Sequence, residues 1–206
     1  MNAATPGAGA VVTTGAQDVL MVVDVQRDFC PGGALGVAGG DEVVPIINAL
    51  APKFSRWVYT RDWHPHDHIS FSERPEFRDS SWPPHAVQGT PGAGWCDGLE
   101  IPSGALLIGK GDDRHWEEYS GFQVKRLDLT QFLRLRKVER VFVAGLTTDY
   151  CVRTTALDAR EAGFTVFVIE DAVRGVSADA TAAALAAMDA AGIIRIHSDR
   201  IESHDH

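Results

Sequence analysis

Short, uninterrupted apolar segments alternate with helical patterns along most of this chain, and that alternation limits its fold more than any other feature. Asp18–Asp24 (DVLMVVD) is the first such segment, and its β-branched residues favour a buried strand. Further segments of this kind are Trp57–Asp62, Ala105–Lys110, Val138–Leu146, Thr165–Asp171 and Ile193–Ile196. Strands that are apolar throughout, rather than at alternate positions, are typical of a parallel sheet covered on both faces.

Helical patterns lie between these strands. Asp41–Phe54 has apolar residues at helical spacing, and Thr148–Ala162 and Ala178–Ala191 are each followed by a glycine, Gly163 and Gly192. A glycine at this position favours the left-handed backbone turn that ends a helix. The pattern predicts an α/β fold: one three-layer α/β/α domain with a mostly parallel sheet of about six strands, and Ala178–Ala191 packed on that sheet.

Length and composition set the domain organisation. A chain of 206 residues fits one domain with a single core. Residues 1–16 are rich in Ala, Gly and Thr without apolar periodicity, which predicts a flexible leader before a domain of residues 17–206.

Charge and apolar content exclude several classes of partner. The net charge of −9 argues against nucleic-acid binding, which needs a basic face. No run approaches the ~18 apolar residues that span a bilayer, and the N-terminus lacks a secretory signal, so we expect a cytoplasmic protein without membrane partners. The three cysteines are odd in number and sparse, unlike a disulfide framework. The sequence leaves open whether the chain forms a homo-oligomer.

Charged residues stand at three strand ends, beside a long loop. Asp24, Asp62 and Lys110 each close a predicted strand, and the segment 63–103 carries four of the eight histidines. Loops of this length inside a compact domain are usually functional. In an open α/β sheet, ligands bind beyond the carboxyl ends of the strands. These observations predict a functional site at that edge.

The start of this loop suggests a metal site. In the run Asp62-Trp-His64-Pro-His66-Asp-His68, extended geometry places Asp62 and His64 on the same side, and His85 follows a rigid Pro-Pro pair. A carboxylate with imidazoles suits Zn²⁺, Fe²⁺ or Mn²⁺ rather than Ca²⁺. Surface loops also carry histidines without binding metal, so spacing alone leaves both interpretations open.

A cysteine at a helix start suggests nucleophilic catalysis. Cys151 follows a strand and a tight turn, where the helix dipole and free N–H groups favour a thiolate and could hold an oxyanion. Asp24 could act as a general base, Lys110 could lower the thiol pKa, and Asp28 more plausibly caps a turn. Taken singly, Cys151 would more often be a buried structural thiol and Lys110 a solvated strand end.

Five sequence blocks together point to a family. The chain resembles the nicotinamidases, within the isochorismatase-like cysteine hydrolases, over about Val19 to Ile201. The blocks are VDVQRDFCPGGAL (23–35), RDWHPHDHISF (61–71), WPPHAVQGTPGA (82–93), the Gly-Lys pair with the later EYSGF (118–122), and GLTTDYCVRTTALDA (145–159). The resemblance implies that residues 17–206 are an isochorismatase-like hydrolase domain.

The same resemblance implies roles for individual residues. It implies a catalytic triad of Asp24, Lys110 and Cys151, with an oxyanion hole from the backbone N–H groups of Thr147 and Cys151 and a cis peptide at Leu146–Thr147. It implies one divalent metal ion (Zn²⁺, Fe²⁺ or Mn²⁺) bound by Asp62, His64, His68 and His85. It also implies aromatic walls for a pyridine ring at Phe29, Trp82 and Tyr119. His66 is a departure from the family pattern, and we interpret it either as a rim residue or as one that contacts the metal ligands without binding the metal.

The function implied by the resemblance is an amidohydrolase of NAD salvage. Its small-molecule substrate would be nicotinamide, converted to nicotinate and ammonia through a cysteine thioester, with pyrazinamide as a further substrate. Three alternatives remain. A relative acting on carbamoyl or ureido substrates would generally lack the full aspartate and three-histidine set. An isochorismatase-type hydrolase would lack the nucleophilic cysteine, and a non-catalytic metal-binding module would have an unreactive one.

Overall fold

The computed structural model describes residues 10–77 and 81–203. The strands are β1 (Val12–Thr14), β2 (Asp18–Val23), β3 (Trp57–Asp62), β4 (Leu106–Lys110), β5 (Arg140–Leu146), β6 (Thr165–Arg174), β7 (Ile194–Ile196) and β8 (Ile201–Ser203). The α-helices are α1 (Val43–Leu50), α2 (Leu129–Leu135), α3 (Arg153–Glu161) and α4 (Ala178–Ala190).

Six of these strands form one sheet in the order β4-β3-β2-β5-β6-β7. Every neighbouring pair in it is parallel. The predicted three-layer α/β/α fold with a mostly parallel sheet is therefore confirmed. Because all six strands run the same way, their carboxyl ends meet along one edge.

The central strand β2 explains why its sequence is apolar at every position. Leu20 and Val22 pack in the core on the α1 side of the sheet, whereas Val19, Met21 and Val23 pack in the core that contains side chains of α2, α3 and α4. All five are essentially inaccessible to solvent. A strand with a helical layer on each face has no solvent-exposed position for a polar residue, except at its ends.

Most predicted elements agree with the structure, with small shifts at their ends. The predicted helix over 41–54 is α1 flanked by 3-10 turns at Gly40–Glu42 and Ala51–Lys53. Gly163 and Gly192 have the predicted left-handed backbone, with φ of +91° and +77°. Met188 of α4 packs in the same core as β2, as expected for a helix on the sheet. No helix in the described part of the chain is long and apolar enough to cross a membrane.

Two elements differ from prediction. Helix α2 was not predicted, although Asp128 caps it by accepting a hydrogen bond from Gln131 N at 2.8 Å. The predicted leader is wrong at its end, because Val12–Thr14 form β1 and pair with β8. That pairing joins two ends of the chain, so local patterns did not reveal it. Residues 1–9 lie outside the described part of the chain. The boundary at residue 17 between a leader and the hydrolase domain therefore stays a prediction.

Gly145 allows β5 to approach β2 closely just before both strands end. Its φ is +116°, a conformation that residues with a side chain rarely adopt. A Cβ atom there would lie 2.0 Å from Val23 O, inside any allowed contact. Because Asp24 directly follows Val23, this close approach also helps to set the position of the Asp24 side chain.

We predict that Gly145→Ala lowers the free energy of unfolding by more than about 3 kcal/mol, because backbone, not a movable side chain, blocks the new methyl group. Urea denaturation followed by circular dichroism measures this. Gly15→Ala is the matched control, since no heavy atom beyond the adjacent residues lies within 4 Å of the added Cβ, and it should change stability by less than about 0.5 kcal/mol. Equal effects from the two substitutions would contradict the account.

Candidate active site

The predicted charged residues converge at the carboxyl edge of the sheet. Asp62 and Lys110 are register partners at the ends of β3 and β4, and Asp24 follows β2 directly. Thr147 follows β5, which pairs with β2 on its other side. Cys151 lies one helical turn further on. The strand order thus brings together residues that are far apart in sequence.

Lys110 lies at the centre of this edge and is completely buried. Its Nζ is 2.9 Å from Asp24 Oδ2 and 3.4 Å from Cys151 Sγ, and it also pairs with Asp62 Oδ1. Nζ donates a further hydrogen bond to Glu118 O at 3.3 Å. Burial lowers the pKa of Lys110, but the carboxylates of Asp24 and Asp62 outweigh it and raise the pKa well above its usual value. The ammonium group is therefore charged at neutral pH.

Asp24 is placed to exchange a proton with Cys151. A carboxylate oxygen of Asp24, one of Asp62 and the sulfur of Cys151 all lie within 4.8 Å of one another. Burial raises the pKa of Asp24 to about 6, against the lowering effect of Lys110 and of the Thr60 hydroxyl, which donates to Asp24 Oδ1 at 2.7 Å. A carboxylate with this pKa is ionised at neutral pH and is a stronger base than an ordinary aspartate.

The local structure around Cys151 differs from the predicted α-helical turn. Thr148–Val152 form a π-helical turn, and α3 begins only at Arg153. Burial raises the pKa of the Cys151 thiol well above its usual value, although Lys110 opposes this shift. The expected thiolate is therefore not the resting form. A thiol in this form needs a base to become a nucleophile, and a carboxylate oxygen of Asp24 lies within 4.8 Å of its sulfur.

Three of the four predicted metal ligands form one compact group. Donor atoms of Asp62, His64 and His85 all lie within 4.8 Å of one another. The Nε2 atoms of His64 and His85 are 3.7 and 3.8 Å from Asp62 Oδ2. Two ligands of one zinc ion, each about 2.1 Å from it, are separated by roughly this distance.

The hydrogen bonds of His64 and His85 leave their Nε2 atoms free to bind a metal. His64 Nδ1 lies 2.9 Å from Gly111 O, and His85 Nδ1 lies 2.9 Å from Pro83 O. A proton on Nδ1 makes Nε2 a lone-pair donor, which is the arrangement that metal-binding histidines usually have. The group therefore fits a divalent cation.

His68 and His66 are placed differently from the Asp62, His64 and His85 group. The His68 ring is 4.2 Å from that of His64, but His68 Nε2 is 3.1 Å from Trp116 O, and its donor atom groups with those of His64 and Glu117 rather than with Asp62. Binding the same ion would require His68 to give up the contact with Trp116 O. His66 is exposed, consistent with a residue at the rim.

A cavity of about 380 Å³ opens onto the cysteine and the metal-binding group. Its walls include the three predicted aromatic residues, Phe29, Trp82 and Tyr119, and Tyr150, which was not predicted. Trp82 Nε1 donates to Tyr119 OH at 3.2 Å. The cavity is large enough for a single aromatic ring with one substituent, held between apolar faces.

The predicted oxyanion-hole residues also line this cavity. Thr147 and Cys151 border it together, and the peptide bond Leu146–Thr147 is cis, as the resemblance implied. An acyl carbon placed beside Cys151 Sγ would therefore lie near the backbone of both residues. Their N–H groups as oxyanion donors remain a prediction.

The sequence did not reveal the supporting role of Gln26, and it suggested only a turn cap for Asp28. The Gln26 side chain donates to Asp62 O and accepts from Asp62 N, at 2.9 and 2.7 Å. Asp28 accepts backbone hydrogen bonds from Ala34 and Ala86, at 3.3 and 2.7 Å, and so holds the loop that carries His85. Gln26 lies two positions after Asp24, but its partner is 36 residues away, so spacing alone gave no signal.

Comparison with known proteins agrees with this geometry. The sequence pattern of the isochorismatase domain matches residues 18–199. This chain belongs to the isochorismatase domain family. A relative in the family, the nicotinamidase of Acinetobacter baylyi, is 39% identical over 199 residues, which cover 88% of this chain and 93% of that protein.

Two solved structures of the family share the fold closely. The pyrazinamidase of Pyrococcus horikoshii in complex with zinc is 43% identical, with a TM-score of 0.80 over 88% of this chain and 99% of that one. PnC1 from L. infantum in complex with nicotinate is 36% identical, with a TM-score of 0.86 over 95% of this chain and 100% of that one. The resemblance seen in the five sequence blocks is thereby confirmed.

We predict that Gly111→Ala weakens zinc binding by at least about tenfold, because a side chain at position 111 would push the metal-binding imidazole of His64 out of place. Gly111 has φ of +67°, and a Cβ there would lie 2.3 Å from the His64 ring. Competition with a chromophoric chelator measures the affinity. Gly109→Ala, two positions earlier in β4, is the control, since its Cβ would meet Trp63 at an ordinary 3.5 Å. Unchanged zinc affinity in Gly111→Ala would contradict the assignment.

Proposed function

We propose that this chain hydrolyses nicotinamide to nicotinate and ammonia, with Cys151 as the nucleophile, and that it also hydrolyses pyrazinamide. One observation carries the proposal: Cys151, whose sulfur contacts the buried Lys110–Asp24 pair, lines the same cavity as Asp62 and His85 of the Asp-His-His donor group. The first set suits acyl transfer at an amide, and the second suits a heteroaromatic ring nitrogen. The relatives named nicotinamidase and pyrazinamidase support this choice of substrate.

In the first half-reaction the thiol becomes acylated. Asp24 takes the proton of Cys151 as sulfur attacks the carboxamide carbon, and the charge of Lys110, 3.4 Å from Sγ, stabilises the developing thiolate. The backbone N–H groups of Thr147 and Cys151 stabilise the oxyanion. When the tetrahedral intermediate collapses, the C–N bond breaks, Asp24 returns its proton to the leaving nitrogen, and ammonia departs. A thioester on Cys151 remains.

In the second half-reaction water replaces the amine. Asp24, now ionised again, takes a proton from a water molecule as its oxygen attacks the thioester carbon. Collapse of the second intermediate breaks the C–S bond, and the proton held by Asp24 restores the thiol. The products are free enzyme and nicotinic acid, which loses its proton to solvent and becomes nicotinate. Because Asp24 both accepts and donates a proton during the reaction, a pKa of about 6 suits its role.

A divalent ion bound by Asp62, His64 and His85 would supply a Lewis acid that binds and polarises the pyridine nitrogen. Zn²⁺, Fe²⁺ and Mn²⁺ all suit this donor set, and we retain His68 as a fourth ligand in the proposal. Phe29 and Trp82 would hold the ring faces. The donor group also favours this substrate over a carbamoyl or ureido compound, which has no ring nitrogen to bind.

We expect Cys151→Ala to lower the rate of ammonia release from nicotinamide by at least about 10⁴-fold, because no other group can form the acyl intermediate. A coupled ammonia assay measures this. Cys96→Ala is the matched control, since Cys96 and Cys151 are both 7% exposed but Cys96 lies outside the cavity lining. The control should keep near-native turnover. Appreciable turnover in Cys151→Ala would refute the mechanism.

The pH dependence of kcat/KM should report the proton state of Asp24. Burial raises its pKa to about 6, and only the ionised form accepts the thiol proton, so kcat/KM should fall below about pH 6. Thr60→Val removes a hydrogen bond that favours the ionised form and should move this acid limb up by about one pH unit. An acid limb that stays in place, or moves to lower pH, would show that another group controls it.

A further inference from the structure

Cys30 and Cys96 form a second thiol site that the proposed mechanism does not use. Their sulfur atoms are 2.6 Å apart, although the residues are separated by 66 positions in the sequence. Both are free thiols and both are buried, each 7% exposed. Two sulfurs this close need only a small adjustment to reach bonding distance.

Backbone hydrogen bonds hold the two cysteine-bearing segments side by side. Cys96 N donates to Val25 O at 2.9 Å, and Arg27 N donates to Gly94 O at 2.9 Å. Gln26 and Trp95 form an antiparallel bridge between these two bonds. The main chain therefore holds these two segments next to each other, and the Cys30 and Cys96 sulfur atoms meet beside this pairing.

We propose that Cys30 and Cys96 are a site of reversible disulfide formation that ties the wall of the substrate cavity to the Trp95–Asp97 segment. Phe29, which precedes Cys30, lines that cavity. The loop after Cys30 lines it too, from Gly33 to Val37, and Gly33 N is anchored to Cys30 O at 3.0 Å. A disulfide at Cys30 would therefore restrain the backbone at the start of the loop that lines the cavity.

The chemistry requires a two-electron oxidant, and a peroxide is sufficient. One sulfur, as its thiolate, attacks a peroxide oxygen; the O–O bond breaks, one water leaves, and a sulfenic acid forms. The second sulfur attacks that sulfenic sulfur, the S–S bond forms, and a second water carries away the hydroxyl. Both thiol protons end in the two waters, the thiols are oxidised, and the peroxide is reduced.

The surroundings of Cys30 and Cys96 determine how fast the two thiols are oxidised. Burial, together with the neighbouring Cys96 and the charges of Asp41 and Asp97, raises the pKa of Cys30 well above its usual value. Since the thiolate is the reacting form, oxidation should be slow, over hours rather than seconds at neutral pH. The same burial slows, but does not prevent, reduction of the finished disulfide by external thiols such as dithiothreitol. The pair is thus a slow site, unlike an exposed redox-sensing cysteine.

The test is peptide mapping of the full chain after prolonged treatment with hydrogen peroxide, followed by alkylation in denaturant. We expect a cross-linked peptide that contains Cys30 and Cys96 and disappears after reduction with dithiothreitol. Cys30→Ala and Cys96→Ala should each abolish it, whereas Cys151→Ala should retain it. Full alkylation of Cys30 and Cys96 after oxidation, or a cross-link from either of them to Cys151, would overturn the proposal.

Thermal unfolding shows whether the bond forms in the native geometry. A disulfide that closes a loop of 66 residues without distortion should raise Tm by roughly 5 °C or more over the reduced protein. Dithiothreitol should reverse the rise, and Cys96→Ala should show none. An oxidised protein with unchanged or lower Tm would overturn the claim that the main chain already positions the two thiols. None of these readouts depends on the proposed amidase activity.

Discussion

The buried ammonium group of Lys110 is the interaction on which the rest of the site depends. It pairs with two buried carboxylates, Asp24 and Asp62, and lies 3.4 Å from the Cys151 sulfur. Without this charge, two acids within a few ångströms of each other would have to take up protons or draw water into the core. With it, the pKa of Asp62 stays below its usual value. In the proposed mechanism the same cation keeps Asp62 ionised for metal binding and stabilises charge on Cys151 during acyl transfer.

The sheet makes this arrangement possible because parallel strands end along one edge. Asp24, Asp62 and Lys110 follow or close three adjacent strands, so their side chains meet without long loops to position them. Two glycines allow the remaining close approaches. Gly145 lets β5 come close to Val23, and Gly111 leaves room for the His64 ring. The rigid scaffold thus places a charged cluster whose desolvation would otherwise be costly.

Much of this could be read from the sequence, because strand ends and apolar patterns are local properties. Other features depend on contacts that local patterns do not encode. The pairing of β1 with β8 joins the two ends of the chain, and the contact of His68 Nε2 with Trp116 O depends on a separate loop. The raised pKa of the Cys151 thiol is another such feature: the helix start suggested a thiolate, but burial and the nearby carboxylates of Asp24 and Asp62 favour the protonated thiol.

The thioester at Cys151 is the central claim, and partitioning with hydroxylamine tests it most directly. A thioester divides between water and hydroxylamine, so nicotinohydroxamate should appear in proportion to added hydroxylamine while ammonia release from nicotinamide continues. Acid-quenched enzyme should carry a nicotinoyl group on the peptide that contains Cys151. If nicotinate were the sole acyl product at every hydroxylamine concentration, and Cys151 carried no acyl group, direct attack of water would replace covalent catalysis in this account.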